Sequence, residues 1–149
     1  MLTLTLELTA VSSQQEVHGL SRGHLSIGGS QGSVTSQGRT PDQSMMIFLS
    51  IVGLLHGLRR FLETASTRQY TFVGDDCSFQ LTFERVKGQL FKITSQRQAI
   101  DTVGQDELTR AVWAGVEPFL SRYQDQLDGD MVLGDLISAV FEFRLAFDL

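Results

Sequence analysis

From Gln43 to Leu58 the chain runs sixteen residues without an Asp, Glu, Lys or Arg, and Arg59 and Arg60 close the stretch. Ile47, Ile51, Leu54, Leu55, Leu58 and Leu62 recur at helical spacing. Met46, Phe48, Val52 and Phe61 carry the apolar surface well beyond one stripe. A helix this apolar around its circumference must be covered on more than one side. The rest of the chain therefore has to supply a sheet for the helix to lie across and a second helix to flank it. A membrane-spanning helix wants about 20 mostly apolar residues. This stretch is shorter and holds Gln43, Ser44, Ser50, Gly53, His56 and Gly57, so it reads as a core helix. Pro41 and Asp42 are expected to open it, with Asp42 or Ser44 as N-cap.

The sheet is written on both sides of that helix. Leu2, Leu4, Leu6 and Leu8 alternate with Thr3, Thr5 and Glu7, the period of a half-buried strand. His24 to Ile27, bounded by Gly23 and by Gly28 and Gly29, forms a second short strand and a candidate partner for the first. Gly28 to Thr40, rich in Gly, Ser, Gln and Thr, reads as a flexible loop. Its GGSQGS run lacks the lysine and following Ser/Thr of a phosphate-binding loop. After the helix, Tyr70–Val73, Ser78–Arg85 and Gln89–Thr94 are strands. Gly74-Asp75-Asp76 and Lys87-Gly88 supply turn chemistry between them, which makes an antiparallel meander. Ala99–Val103 adds a short final strand.

Gly104-Gln105-Asp106 ends that strand and caps the next helix, with Glu107 favourable in its first turn. Leu108, Val112, Val116, Phe119, Leu120, Tyr123 and Leu127 form one apolar face, and Pro118 is expected to kink the helix or end its first part. Asp130 or Asp135 then starts a third helix through Leu136, Ile137, Val140, Phe141 and Leu145. The order β-β-α-β-β-β-(β)-α-α describes a single α+β domain over residues 1–149. It predicts an antiparallel sheet of about five to six strands with helices packed on one face.

Charge narrows the class of partner. The formal net charge is −5, and Lys87 and Lys92 are the only lysines. Nucleic-acid binding needs clustered positive charge, so this chain suits a basic protein partner instead. The single cysteine, Cys77, excludes an intrachain disulfide and is compatible with a reducing cytoplasm. The N-terminal MLTLTLELTA has no basic region followed by an apolar block, so it does not read as a secretory signal.

The residue types that carry chemistry do not assemble into a reactive pattern. His18, His24 and His56 have no Cys or carboxylate at metal-ligand spacing, and neither H-E-x-x-H nor C-x-x-C occurs. Cys77 follows Asp75 and Asp76, whose charge opposes a thiolate. No G-x-S-x-G elbow is present. Asp125, Asp128, Asp130 and Asp135 lack the D-x-D-x-D-G order and terminal Glu of an EF-hand. No catalytic residue, metal site or cofactor is expected. What remains is a set of acidic positions at turns and helix ends: Asp75, Asp76, Asp101, Asp106, Glu107 and the run from Asp125 through Asp128 and Asp130 to Asp135. On an exposed edge such residues would steer a basic partner, or serve only as an acidic surface that keeps the chain soluble. Trp113, off the centre of its helix's apolar face, is either a core-edge residue or an aromatic anchor for that partner.

In layout the chain resembles the immunity proteins of bacterial polymorphic-toxin systems, contact-dependent or type VI-secreted. The resemblance covers most of the chain: the alternating strand LTLTLEL, the long apolar helix MMIFLSIVGLLHGLRRFL, the meander opening GDDCSFQLTF and the helix DELTRAVWAGVEPFLSRY. It implies a small acidic cytoplasmic protein that neutralises a cognate toxin by binding it. Inhibition would come from plugging the toxin's active site or from locking its fold. A second family of similar size and charge, the type III secretion chaperones, usually begins with a helix, whereas this chain begins with a strand. A small-ligand binder or enzyme would place its pocket between the sheet and the first helix.

Overall fold

The computed structural model of residues 1–149 contains eight strands and three α-helices. Thr3–Leu8 (β1) and Arg22–Gly28 (β2) form an antiparallel pair in which Leu4 stands opposite Ile27 and Leu6 opposite Leu25. Leu4, Leu6 and Leu8 are buried while Thr3, Thr5 and Glu7 face solvent, as the alternation requires.

The other edge of β2 is filled by two short pieces that the sequence does not announce. Ser33–Thr35 (β3) pairs with Ser26–Gly28, and Met45–Met46 (β4) pairs with Arg22 and Gly23. The Gly28–Thr40 segment is thus partly strand, not loop throughout.

The first helix, Ile47–Glu63 (α1), starts later than its capping residues predict. Met46 occupies the N-cap with no side-chain bond. Asp42 instead accepts from the N–H and the hydroxyl of Ser44, both at 2.9 Å, in a local turn. Arg22 donates to Ser44 Oγ and to the Ser44 carbonyl, which holds the segment extended beside β2. The donors at the helix entrance find distant carbonyls: Met46 N–H donates to Asp75 and Ile47 N–H to Ser21. A helix start satisfied by tertiary partners has no need of a local cap.

Beyond α1, Gln69–Val73 (β5), Gln80–Val86 (β6), Leu90–Ser95 (β7) and Gln98–Gly104 (β8) form the expected antiparallel meander, with a register shift between Ile93 and Thr94. The α+β class and the antiparallel pairing hold. The strands divide, however, into two sheets of four rather than one of five to six. β3 and β4 take the second edge of β2, so the meander does not pair with β2 there. The sheets meet instead through the β2–β3 turn, where Gln31 N–H donates to the carbonyl of Ile100 at 2.9 Å.

Helix α1 lies against β5 and is flanked by the third helix, Met131–Phe147 (α3). Phe48 of α1 meets Phe119 of the second helix, Gln105–Tyr123 (α2), with ring centroids 5.5 Å apart. The charge-free stretch is therefore covered by sheet and by helices, as its composition demands. Helix α2 packs on β1 and continues through Pro118 without ending. Pro118 and Ala114, whose carbonyl loses its donor, both face solvent, so water can replace the missing bond. Asp130 caps α3 by accepting from Val132 N–H at 3.0 Å. No helix is long and apolar enough to cross a membrane.

Candidate functional site

The acidic positions separate into three kinds once their partners are known. Asp101 is buried at 7% exposure. Its carboxylate accepts from Ser30 N–H at 3.1 Å, from the Ser30 hydroxyl at 2.8 Å and from Thr102 N–H at 2.8 Å. Burial works to raise this carboxyl; the Ser30 and Thr102 hydrogen bonds outweigh it and hold the group below the ordinary aspartate range. Asp101 is not part of an exposed edge. It fastens β8 to the turn after β2; an exposed edge is the expectation for a strand Asp because nothing local to it announces Ser30, seventy-one residues earlier, as its partner.

Asp75 and Asp76 form the exposed turn between β5 and β6, and their backbone is pinned. Asp75 N–H donates to Ser50 Oγ at 2.8 Å, and Arg22 pairs with Asp76 at 2.8 Å. Much of the charge of Asp76 is thereby answered within the chain. Asp130 is also committed: besides capping α3 it accepts from Gly19 N–H at 2.8 Å, and these bonds keep its carboxyl below the ordinary range. Asp125 and Asp128 are exposed between α2 and α3. No hydrogen bond or ion pair engages either side chain. Trp113 is half-buried against the core, with the Arg144 guanidinium 5.1 Å from its ring.

The chemically versatile side chains are similarly occupied. His24 Nδ1 lies 3.0 Å from the fully buried Ser36 hydroxyl, and His18 Nδ1 accepts from Leu20 N–H. His56 Nδ1 stands 3.5 Å from Glu142. Burial, more than the neighbouring Asp76, pushes the Cys77 thiol up. No three His, Cys, Asp or Glu side chains gather as a metal site. The interval between α1 and the second sheet is filled by Leu54, Leu58, Phe72, Leu81, Phe83 and Ile93, all fully buried.

A different surface stands out. Helix α3 is apolar on two opposite sides. Val132, Leu136, Ala139 and Phe143 enter the core. Ile137, Phe141 and Leu145, at i, i+4 and i+8, face solvent with 50, 64 and 73% exposure. With Val140 and Leu149 they line a groove of about 490 Å³, which Gln124, Arg144 and Asp148 complete. A helix apolar on both sides is normally covered on both; here the fold covers one. The signal was present in the sequence as a third helix with too many apolar positions for a single face, but only the packing shows which face is left over.

The charge distribution singles out the same segment. Residues 1–123 hold eleven acidic and eleven basic side chains, whereas residues 124–149 hold six acidic and one basic. The entire net charge of −5 thus falls on the segment that carries the uncovered apolar stripe. Asp148 lines the groove, and Asp125 follows Gln124 at its margin. Glu142, on the edge facing α1, is paired with Arg59 at 3.1 Å. Arg144, the one cation of the segment, is turned onto Trp113 and donates to the Leu149 carbonyl at 3.2 Å.

Comparison with protein-family models, with curated proteins and with solved structures returns no match.

Proposed function

We propose that this chain is an immunity-type inhibitor, acting in the cytoplasm, that neutralises a cognate toxin by binding it and performs no chemistry of its own. The reading is carried by one observation: the uncovered apolar face of α3 lies within a segment, residues 124–149, that holds six acidic side chains and one basic. Exposed apolar patches of this kind mark interaction surfaces. A central apolar cluster with a charged rim is the anatomy of a protein interface, in which the cluster supplies the affinity and the rim steers encounter. Ile137, Phe141 and Leu145 are the central residues; Asp148 and Arg144 line the rim, with Asp125 next to the lining residue Gln124. The layout resemblance to immunity proteins gives the partner its class, a toxin with a basic surface.

The test is genetic and direct. The product of the neighbouring open reading frame is expressed with and without this chain. Toxicity in its absence, growth in its presence and co-purification of the two proteins are the expected results. Failure of the intact chain to restore growth would overturn the proposal.

A further inference from the structure

We infer that two copies of this chain pair through the outer edge of β5, antiparallel about a two-fold axis at Thr71, and so join their second sheets into one of eight strands. The inference is independent of what occupies α3. The second sheet ends on one side at β8, where the β2–β3 turn docks: Gln31 N–H donates to the Ile100 carbonyl, and Gly32 lies against that of Ala99. On the other side it ends at β5, and no strand pairs there. In an antiparallel ladder, alternate residues turn their backbone groups toward the neighbouring strand and away from it. Arg85 N–H donates to the Arg68 carbonyl, and Gly74 N–H to that of Phe79. With the β5–β6 register, this phase turns the N–H and C=O of Gln69, Thr71 and Val73 outward. No hydrogen bond outside the sheet ladder engages them. The side chains of all three are exposed, Val73 by 48%. Single-chain proteins guard such an edge with a charge, a proline or a bulge. Gln69–Val73 has none of these. The free edge of β1, by contrast, is closed by α2, whose Gly115 sits against the Leu4 carbonyl.

Charge selects a second copy and its direction. Arg68 precedes β5 and Asp75 follows it, and both are exposed. No ion pair or hydrogen bond engages the side chain of either. Antiparallel pairing centred on Thr71 sets Gln69 against the partner's Val73 and brings every outward N–H and C=O of both edges into a bond. The same register places Arg68 opposite the partner's Gly74, which has no side chain, one residue from the partner's Asp75. Symmetry makes this contact twice. Parallel pairing would bring Arg68 near the partner's Arg68 and Asp75 near the partner's Asp75, and like charges oppose association. The other charges near the edge are answered within the chain: Asp76 by Arg22, and Glu84, beside Gln69, by Lys92 opposite it. On the covered face Tyr70, half-buried with its hydroxyl donating to the Gly53 carbonyl at 3.3 Å, meets the partner's Phe72. Any extended strand can satisfy the backbone of an open edge. A second copy also satisfies the two end charges, in one closed and symmetric contact.

The test is the mass of the full chain in solution from about 1 μM to about 1 mM. Sedimentation should show 16.5 kDa giving way to twice that value as concentration rises. Amide exchange at Gln69, Thr71 and Val73 should slow by about tenfold over the same range. Thr71→Pro removes an outward N–H that bonds nothing in the single chain, and should weaken the dimer by about tenfold or more. Val73→Lys supplies the missing guard and should do the same, which covers the case in which Thr71→Pro does not fold. Arg68→Glu and Asp75→Lys should each weaken pairing. Mixed in equal amounts, these two variants should pair with each other, because one edge is then negative at both ends and the other positive at both. Urea midpoints at high dilution, where the chain is single, establish that the variants fold. A single chain at every concentration would overturn the inference and leave the edge to a strand of another protein. A dimer that survives Val73→Lys and is abolished by Phe141→Asp would overturn it and assign the contact to α3. Failure of the mixed variants to pair would overturn the antiparallel register.

Discussion

Replacing Asp101 with Ala should destabilise the fold by about 3 kcal/mol, a magnitude that follows from its three bonds. Each hydrogen bond to a charged acceptor is worth about 1.5–3 kcal/mol, and the three at this carboxylate do not add in full. Thr102 N–H belongs to the next residue, so part of that bond survives in the unfolded chain. The Ser30 hydroxyl is on an exposed residue and turns to water. Ser30 N–H, at 3.1 Å, is left without its acceptor. For a chain of this length, a change of about 3 kcal/mol lowers Tm by about 6–12 °C. Urea unfolding followed by Trp113 emission measures the loss. Ser30→Ala, which removes only the hydroxyl bond, should cost about 1 kcal/mol. The double variant should cost less than the sum, because both changes strike one cluster. The pH dependence has a definite sign. The folded carboxyl lies below its unfolded value, so its contribution is complete above about pH 4 and disappears as pH falls through the folded pKa. The gap between wild type and Asp101→Ala should therefore close below pH 4. A cost under about 1 kcal/mol at neutral pH, or a gap independent of pH, would refute the claim that this carboxylate fastens the two sheets.

Other expectations are as direct. Phe48→Ala empties a fully buried site against Phe119 and should cost about 3–5 kcal/mol by the same urea assay. Gly115→Ala would drive a methyl group into the Leu4 carbonyl, pushing α2 off β1 at about 1–3 kcal/mol. Gly134→Ala, over open space in α3, should instead stabilise by up to about 1 kcal/mol. Phe141→Asp should leave the free energy of urea unfolding within about 0.5 kcal/mol of wild type, because Phe141 is exposed and lies outside the core. Asp130→Asn should weaken the fold most above pH 4 and least in acid. Its carboxyl, like that of Asp101, is held below the unfolded value by the N–H donors it accepts from.

Sequence periodicity alone established a good deal. The charge-free run required a helix enclosed by sheet and helices, the leucine alternation required a strand with one wet face, and Gly-Asp-Asp and Lys-Gly required tight turns in a meander. The third helix start was legible only to a choice of Asp130 or Asp135, and Asp130 is the cap, because capping depends on the few residues beside it. These features share a physical basis: each is decided by which faces of a local element are apolar.

The remainder was settled by partners distant in the chain. Ser33–Thr35 and Met45–Met46 become strands because β2 has an edge to fill, not through any pattern of their own, and filling that edge divides the strands into two sheets. The Asp42 cap gave way to Arg22, Ser21 and Asp75, all remote from the helix start. Asp101 has the composition of a surface residue and the surroundings of an interior one, since Ser30 reaches it from another sheet. Sequence made α3 apolar on two sides; only the packing of α1 against one of them determined that Ile137, Phe141 and Leu145 would face solvent. Local free energies specify the elements. Which of their surfaces remains available for binding is determined by long-range burial, and that depends on the whole fold at once.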